Sequence, residues 1–202
     1  MGKASKGEYG YFRFERKRRM ILTFIFLGIP LIIFIAGLLL TGTEKSVFTV
    51  AAVVLVIPFA MSFTGLVTVF TQKSISDEAH EAISAHAGGL LMAYELYVTH
   101  EKASTFVDAF AICGNSVAGL VTGKKGDPAF TQEYVQKTLR AAGFSGISVK
   151  LFREQEKFLE RLDSMNAHAD SLRQGLSYKV DPRYPDYNRE ELIWQTLLEI
   201  SF

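Results

Sequence analysis

A single cysteine, Cys113, stands among 202 residues, so a disulfide framework and a Cys-rich metal centre are both excluded. Charge is missing from two long stretches, residues 20–43 and 46–72, with only Glu44 and Lys45 between them. That gap excludes a disordered chain and a simple soluble globule. Excess charge of one sign is missing too. Lys and Arg number 22 against 21 Asp and Glu, net +1, which excludes a strongly basic nucleic-acid binder. The charge that is present is uneven: the first 19 residues hold seven basic and two acidic side chains, and the last 130 hold 14 basic and 18 acidic.

A bilayer core takes roughly 20 apolar helical residues. Residues 20–43 contain fifteen Leu, Ile or Phe, and residues 46–72 contain fourteen Val, Leu, Ile or Phe. At about −0.3 to −0.6 kcal/mol apiece, inserting either stretch gains several kcal/mol. Neither has a polar face, and the first is too long for a cleavable signal and lacks a small-x-small site before Glu44. The short link Thr41–Ser46 makes the two spans an antiparallel hairpin. Lys3, Lys6, Arg13, Arg16, Lys17, Arg18 and Arg19 precede it and Lys73 follows. The positive-inside rule therefore predicts a multi-pass protein with both termini cytoplasmic, expected in the plasma membrane.

Arg13, Arg16, Lys17, Arg18 and Arg19, interleaved with Tyr9, Tyr11, Phe12 and Phe14, suit the lipid headgroup interface. Each cation there is worth on the order of 1 kcal/mol. Pro30 and Pro58 sit near the middle of their spans and read as tolerated kinks, with a hinge or an oligomer contact as the alternative. Gly28, Gly37, Ala51, Ala52, Ala60 and Gly65 permit close helix approach, and Ser62 and Thr64 supply local hydrogen bonds. No ionisable residue lies within either span, so transport by the hairpin alone is not expected.

The expected fold class is an N-terminal transmembrane α-hairpin plus a cytosolic α/β (α+β) domain over residues 73–202, in the order α-β-β-β-α-β-α-α. Residues 1–19 form the basic, aromatic juxtamembrane segment. Ser74-Ile-Ser-Asp77 has capping-box spacing for a helix stopped at Gly88-Gly89. Strands are expected over residues 90–99, 105–113 and 116–122, the last two joined by Gly114-Asn115, as an antiparallel three-strand meander. In the first, Leu90, Met92, Tyr94, Leu96 and Val98 share a face and Glu95 points away. Asp127-Pro128 opens a helix reaching Ala142, residues 147–152 form a fourth strand, and Phe158, Leu162 and Met165 mark the core stripe of the next helix. Residues 167–187 read as irregular, and Asn188 caps the last helix.

Asp108 is the chemical oddity. It lies in Phe106-Val-Asp-Ala-Phe-Ala-Ile112, a strand apolar on both faces, so its carboxylate requires a partner, a metal or a proton. The order helix, three strands, helix, strand over residues 74–152 resembles the core of restriction-endonuclease-like nucleases. That resemblance implies a metal-binding Asp on the second strand, matched by Asp108, and a Glu/Asp-x-Lys on the third. Lys124 matches the lysine, but Thr122 stands where the second carboxylate belongs. A neutral hydroxyl is a poor substitute for a hard anionic ligand of Mg²⁺.

Other motifs are incomplete. His80-Glu81 begins a zinc-protease pattern, but position 84 is Ser, and His86 falls on another face, so both His read as surface groups. Residues 119–125 have glycines too close together for a phosphate loop, and Gly114-Asn-Ser116 is followed by a strand rather than the helix of a nucleophile elbow. Cys113 reads as a buried structural thiol. The expectation is a membrane-anchored protein presenting a cytosolic binding or assembly module without catalysis. Its partners would be the lipid bilayer, other membrane or cytosolic proteins, or a second copy. The alternatives are a membrane-tethered nuclease-like hydrolase or its inactive descendant, with Mg²⁺ as its only cofactor, and an accessory subunit of a larger membrane complex.

Overall fold

The computed structural model describes residues 5–71, 73–100, 103–123, 126–176, 178 and 181–201. The chain divides into two compact units: Phe12–Lys73, and Met1–Tyr11 together with Ser74–Phe202.

The first unit is a pair of helices, α1 (Tyr11–Thr41) and α2 (Val47–Thr71), with Pro30 and Pro58 inside them. At 1.5 Å per residue they are about 46 and 38 Å long. Of the most apolar stretch of each, only 17% and 6% is buried within the structure. A soluble core helix is mostly buried. Apart from Phe130 and Tyr178, every exposed large apolar side chain among the described residues lies between Met20 and Phe70. Within the pair, Thr23 Oγ1 and Ser62 Oγ are hydrogen-bonded at 3.0 Å. A Cβ added at Gly37 would collide with Phe48, so glycine permits the close approach there.

The second unit runs α3 (Asp77–Ala87), β1 (Leu91–His100), β2 (Ala103–Cys113), β3 (Ser116–Leu120), α4 (Pro128–Ala141), β4 (Ser148–Phe152), α5 (Gln155–Ala167), α6 (Ala169–Arg173) and α7 (Arg189–Glu199). The sheet is four-stranded, in the order β1-β2-β3-β4. The expected three-strand meander is therefore corrected to a mixed sheet: β1, β2 and β3 are antiparallel neighbours, and β4 lies parallel to β3 after the α4 crossover. The short helix α6 also occupies a stretch read as irregular, and β3 ends at Leu120 rather than Thr122.

Helices cover both faces of the sheet. On one side Val135 and Leu139 of α4 and Ile193 and Leu197 of α7 pack with Phe110, Ile112 and Val117. On the other, Ile83 of α3 and Phe158, Leu162 and Met165 of α5 pack with Ala109, Ala111, Cys113 and Leu120. Caps explain several helix starts. Asp127 Oδ1 accepts from the amide of Ala129 at 2.9 Å, and Asn188 and Glu191 close a capping box at α7. The cap of α3 is Ser76, not Ser74; the Ser74 hydroxyl donates to Glu95 instead.

Both sheet edges are covered. Along β4, Gln132 Oε1 accepts from the Leu151 amide at 3.0 Å, so a helix side chain replaces a missing strand. Along β1, the amide of Tyr94 donates to the Gly7 carbonyl at 2.8 Å, that of Thr99 donates to the Ile200 carbonyl, and the Trp194 indole donates to the Met92 carbonyl. The two terminal segments are joined by Lys6, whose ammonium donates to the Leu198 and Ser201 carbonyls at 2.8 and 2.6 Å. Tyr9 completes the N-terminal arm, stacked on His80 at 3.6 Å and hydrogen-bonded to Asp77.

Strand alternation breaks at one place, and the expected face assignments are corrected there. Leu96 and Val98 join the cluster facing α4 and α7, whereas Leu90 and Tyr94 join the opposite one. On β2, Val107 joins Phe110 and Ile112 rather than Ala109 and Ala111. The two strands switch faces together, at Glu95 and Asp108, which fall opposite each other between the Tyr94–Ala109 and Leu96–Val107 pairs. Glu95 is the one non-glycine residue of positive φ among the described residues, at 55°. This left-handed residue shifts the side-chain period by one without shifting the register.

Candidate functional site

Asp108 is buried, and its carboxylate accepts twice from one residue. The Thr122 amide donates to Oδ2 at 2.7 Å and the Thr122 hydroxyl to Oδ1 at 3.0 Å. Thr122, which stood at the second metal-ligand position of the nuclease pattern, is thus a hydrogen-bond donor to Asp108. Lys124, with Lys125, lies outside the described residues. Glu95, expected to point away, is also buried; its Oε1 accepts from the Ser74 hydroxyl and from the Ile75 amide at 3.1 Å. Among the described residues, no group of three or more His, Cys, Asp or Glu is placed to hold a metal ion.

The expected interface cations all lie on the first turns of α1. Arg13, Lys17 and Arg18 are exposed, and Arg16 and Arg19 half-buried. Sequence reasoning missed Glu15, buried among them, which pairs with Arg19 at 2.8 Å and Arg18 at 3.3 Å. Arg16 lies 5.6 Å from the Phe70 ring centroid. His86 lies at the surface as expected, its Nδ1 2.8 Å from Asp163 Oδ1, whereas His80 is half-buried and stacks on Tyr9. Cys113 is buried beneath α5, and desolvation pushes its thiol above the ordinary range.

A cavity of about 430 Å³ in the folded domain is lined by Gly114, Arg173, Leu176, Tyr178, Asn188, Arg189 and Glu190. A volume in this range is that of a small-molecule site. Its walls come from the β2–β3 turn, the end of α6 and the start of α7. Gly114 has φ 54°, and a Cβ there would run into the Leu172 carbonyl. Its amide donates to Glu190 Oε1 at 2.7 Å, and Arg173 grips the same carboxylate with two nitrogens, at 2.8 and 3.1 Å. This bidentate pair fixes Glu190 and neutralises it.

Arg189 is different. It is 6% exposed, its Nη2 donates to the Asn115 side chain, and its guanidinium lies 5.2 Å from the Phe144 ring centroid. Nε and Nη1 are enclosed and find no acceptor among the described residues. Among the described residues no carboxylate lies within ion-pair distance of Arg189, and burial lowers its pKa. Sequence reading passed over this group, although one signal existed: a cation at the first position of a helix opposes the macrodipole. Compared with family models, curated proteins and solved structures, the chain matches none of them.

Proposed function

We propose that the chain is a membrane-anchored protein whose two helices span the bilayer, with both ends cytoplasmic, and whose α/β domain is a non-catalytic binding or assembly module. The observation that carries the reading is the segregation of exposed apolar side chains. Among the described residues of the domain only Phe130 and Tyr178 are both large, apolar and exposed, while the helix pair exposes such side chains along its length. Contiguous apolar surface of that extent marks membrane contact. The arm before α1 folds with the domain that follows α2, which supports placing both ends of the hairpin on one side. The cations of residues 13–19 assign that side to the cytoplasm.

The binding role draws support from the cavity beside Arg173 and Arg189, and from the double hydrogen bond that occupies both oxygens of Asp108. In the test, the full chain carries a tag after its last residue. It is expected to sediment with membranes, and the tag to be reached by an impermeant label only after the cells are opened. Recovery in the aqueous supernatant would overturn the membrane reading, and labelling of intact cells the orientation. Nucleic-acid cleavage dependent on Mg²⁺ or Mn²⁺ and lost in Asp108→Ala would replace the binding module with the nuclease-like hydrolase.

A further inference from the structure

The arm that precedes α1 is held as a ligand is held, not as a core strand. Of residues 5–11 only Gly7 is buried. Among the described residues a single main-chain bond, from the Tyr94 amide to the Gly7 carbonyl, ties the arm to the sheet. Its other contacts are made by individual residues on separate elements. The Lys6 ammonium donates to the Leu198 and Ser201 carbonyls at the end of α7, where the macrodipole favours a cation. Gly7 has φ 88°, and a Cβ there would press on Leu198 and Trp194, so the position favours glycine. Tyr9 stacks on His80 of α3, ring centroids 3.6 Å apart, and is hydrogen-bonded to Asp77. Glu8 is exposed, and its carboxylate accepts from the arm's own Ser5 amide. The surface therefore reads a lysine, a glycine and, after one unread position, a tyrosine.

A contact of this kind opens locally at small cost, because the arm buries no large side chain fully. Gly10, at φ 80° with open space around its Cβ position, gives the chain a pivot between the arm and α1. One main-chain bond at a sheet edge, flanked by side-chain seats, is also how sheet edges take peptides. We infer that the surface formed by the β1 edge, the end of α7 and the start of α3 recognises an extended peptide segment of the pattern Lys-Gly-x-Tyr, and that the chain's own arm is its built-in competitor. A partner segment has to displace the arm, whose short tether gives it an effective concentration on the order of millimolar. Partner binding and release of the lead into α1 are then one event. The inference rests on the reading of the domain as a binding module and names its ligand class.

The full chain and a variant lacking residues 2–10 are purified in detergent micelles, and each is titrated against a labelled synthetic peptide of residues 5–11, followed by fluorescence anisotropy. Saturable one-to-one binding to the shortened chain is expected, with the full chain at least tenfold weaker. Lys6→Met, Gly7→Ala and Tyr9→Ala in the peptide are each expected to lose at least fivefold in affinity. Ser5→Ala, at an exposed position, is expected to change it less than twofold. The inference is overturned if the peptide does not saturate the shortened chain or if the full chain binds it equally well. It is overturned too if Lys6→Met and Tyr9→Ala keep the affinity, or if Ser5→Ala loses as much as they do. Loss of the folded circular dichroism spectrum in the shortened chain also overturns it, since the arm is then part of the core and no competitor. The sedimentation, labelling and cleavage tests use no peptide, so this inference and the reading it rests on fail separately.

Discussion

The helix pair and the folded domain use the same apolar residues in opposite directions. Ile57 of α2 is 63% exposed, whereas Ile193 of α7 is fully buried. In the domain, apolar side chains face inward, and polar backbone groups at the sheet edges are covered one by one. In the helix pair, large apolar side chains face outward and the backbone satisfies itself within each helix, the arrangement that a membrane-spanning pair would need. The comparison teaches that apolar content alone does not set the direction in which side chains face. The presence or absence of a second, polar face does.

The largest effect that would sharpen this contrast is in the core. Phe110→Ala is expected to destabilise the domain by about 3–5 kcal/mol, read as a lowered unfolding midpoint in micelles, while Ile57→Ala leaves that midpoint in place. Next, arginine at Ile32, 67% exposed in the first span, is expected to cost roughly 2.5–3.5 kcal/mol of insertion. A glycosylation reporter of integration measures it; undiminished integration would break the contrast. Smaller again is Asp108→Ala, which leaves the Thr122 amide without its acceptor and is expected to cost about 1–3 kcal/mol, with Asp108→Asn retaining part of the stability in the same denaturation assay.

Titration adds a further difference. Burial raises the Cys113 thiol and the Tyr94 phenol in the domain. For each, the folded state holds its proton to higher pH than the unfolded one. The stability they contribute is complete below the unfolded values and is lost as pH rises above about 8.5 for the thiol and 10 for the phenol. Melting temperature followed from pH 7 to 11 is expected to fall in the upper range, less steeply in Cys113→Ala. The smallest expected effect is in the helix pair. Thr23→Val removes its hydrogen bond to Ser62 and is expected to cost about 0.6 kcal/mol, the mean for such bonds between membrane helices, as read by the dissociation equilibrium of a split pair.

Some of this was legible in the chain. Asp127-Pro128 and Asn188 announced their helices because caps act within three or four residues. The stripe Phe158, Leu162, Met165 was readable because a helix repeats its own face. The face switch at Glu95 and Asp108 was not. Alternation was read straight through both positions, since nothing in the residue type of Glu95 announces a left-handed backbone. The edge covers were equally hidden: Gly7 meets Tyr94, and Ile200 meets Thr99, each pair separated by up to half of the chain. The candidate cavity was hidden for the same reason, with walls from three segments between Gly114 and Glu190.

The sequence by itself determined that two uncharged, apolar stretches form helices suited to a membrane and that a mixed α/β domain follows. Both depend on local composition and periodicity, which act over one helix or strand. Only the tertiary structure decided that the sheet is mixed, that Thr122 satisfies Asp108, and that Arg189 is enclosed. Those depend on which distant segments meet, and burial energies reward such meetings without leaving a local pattern to read.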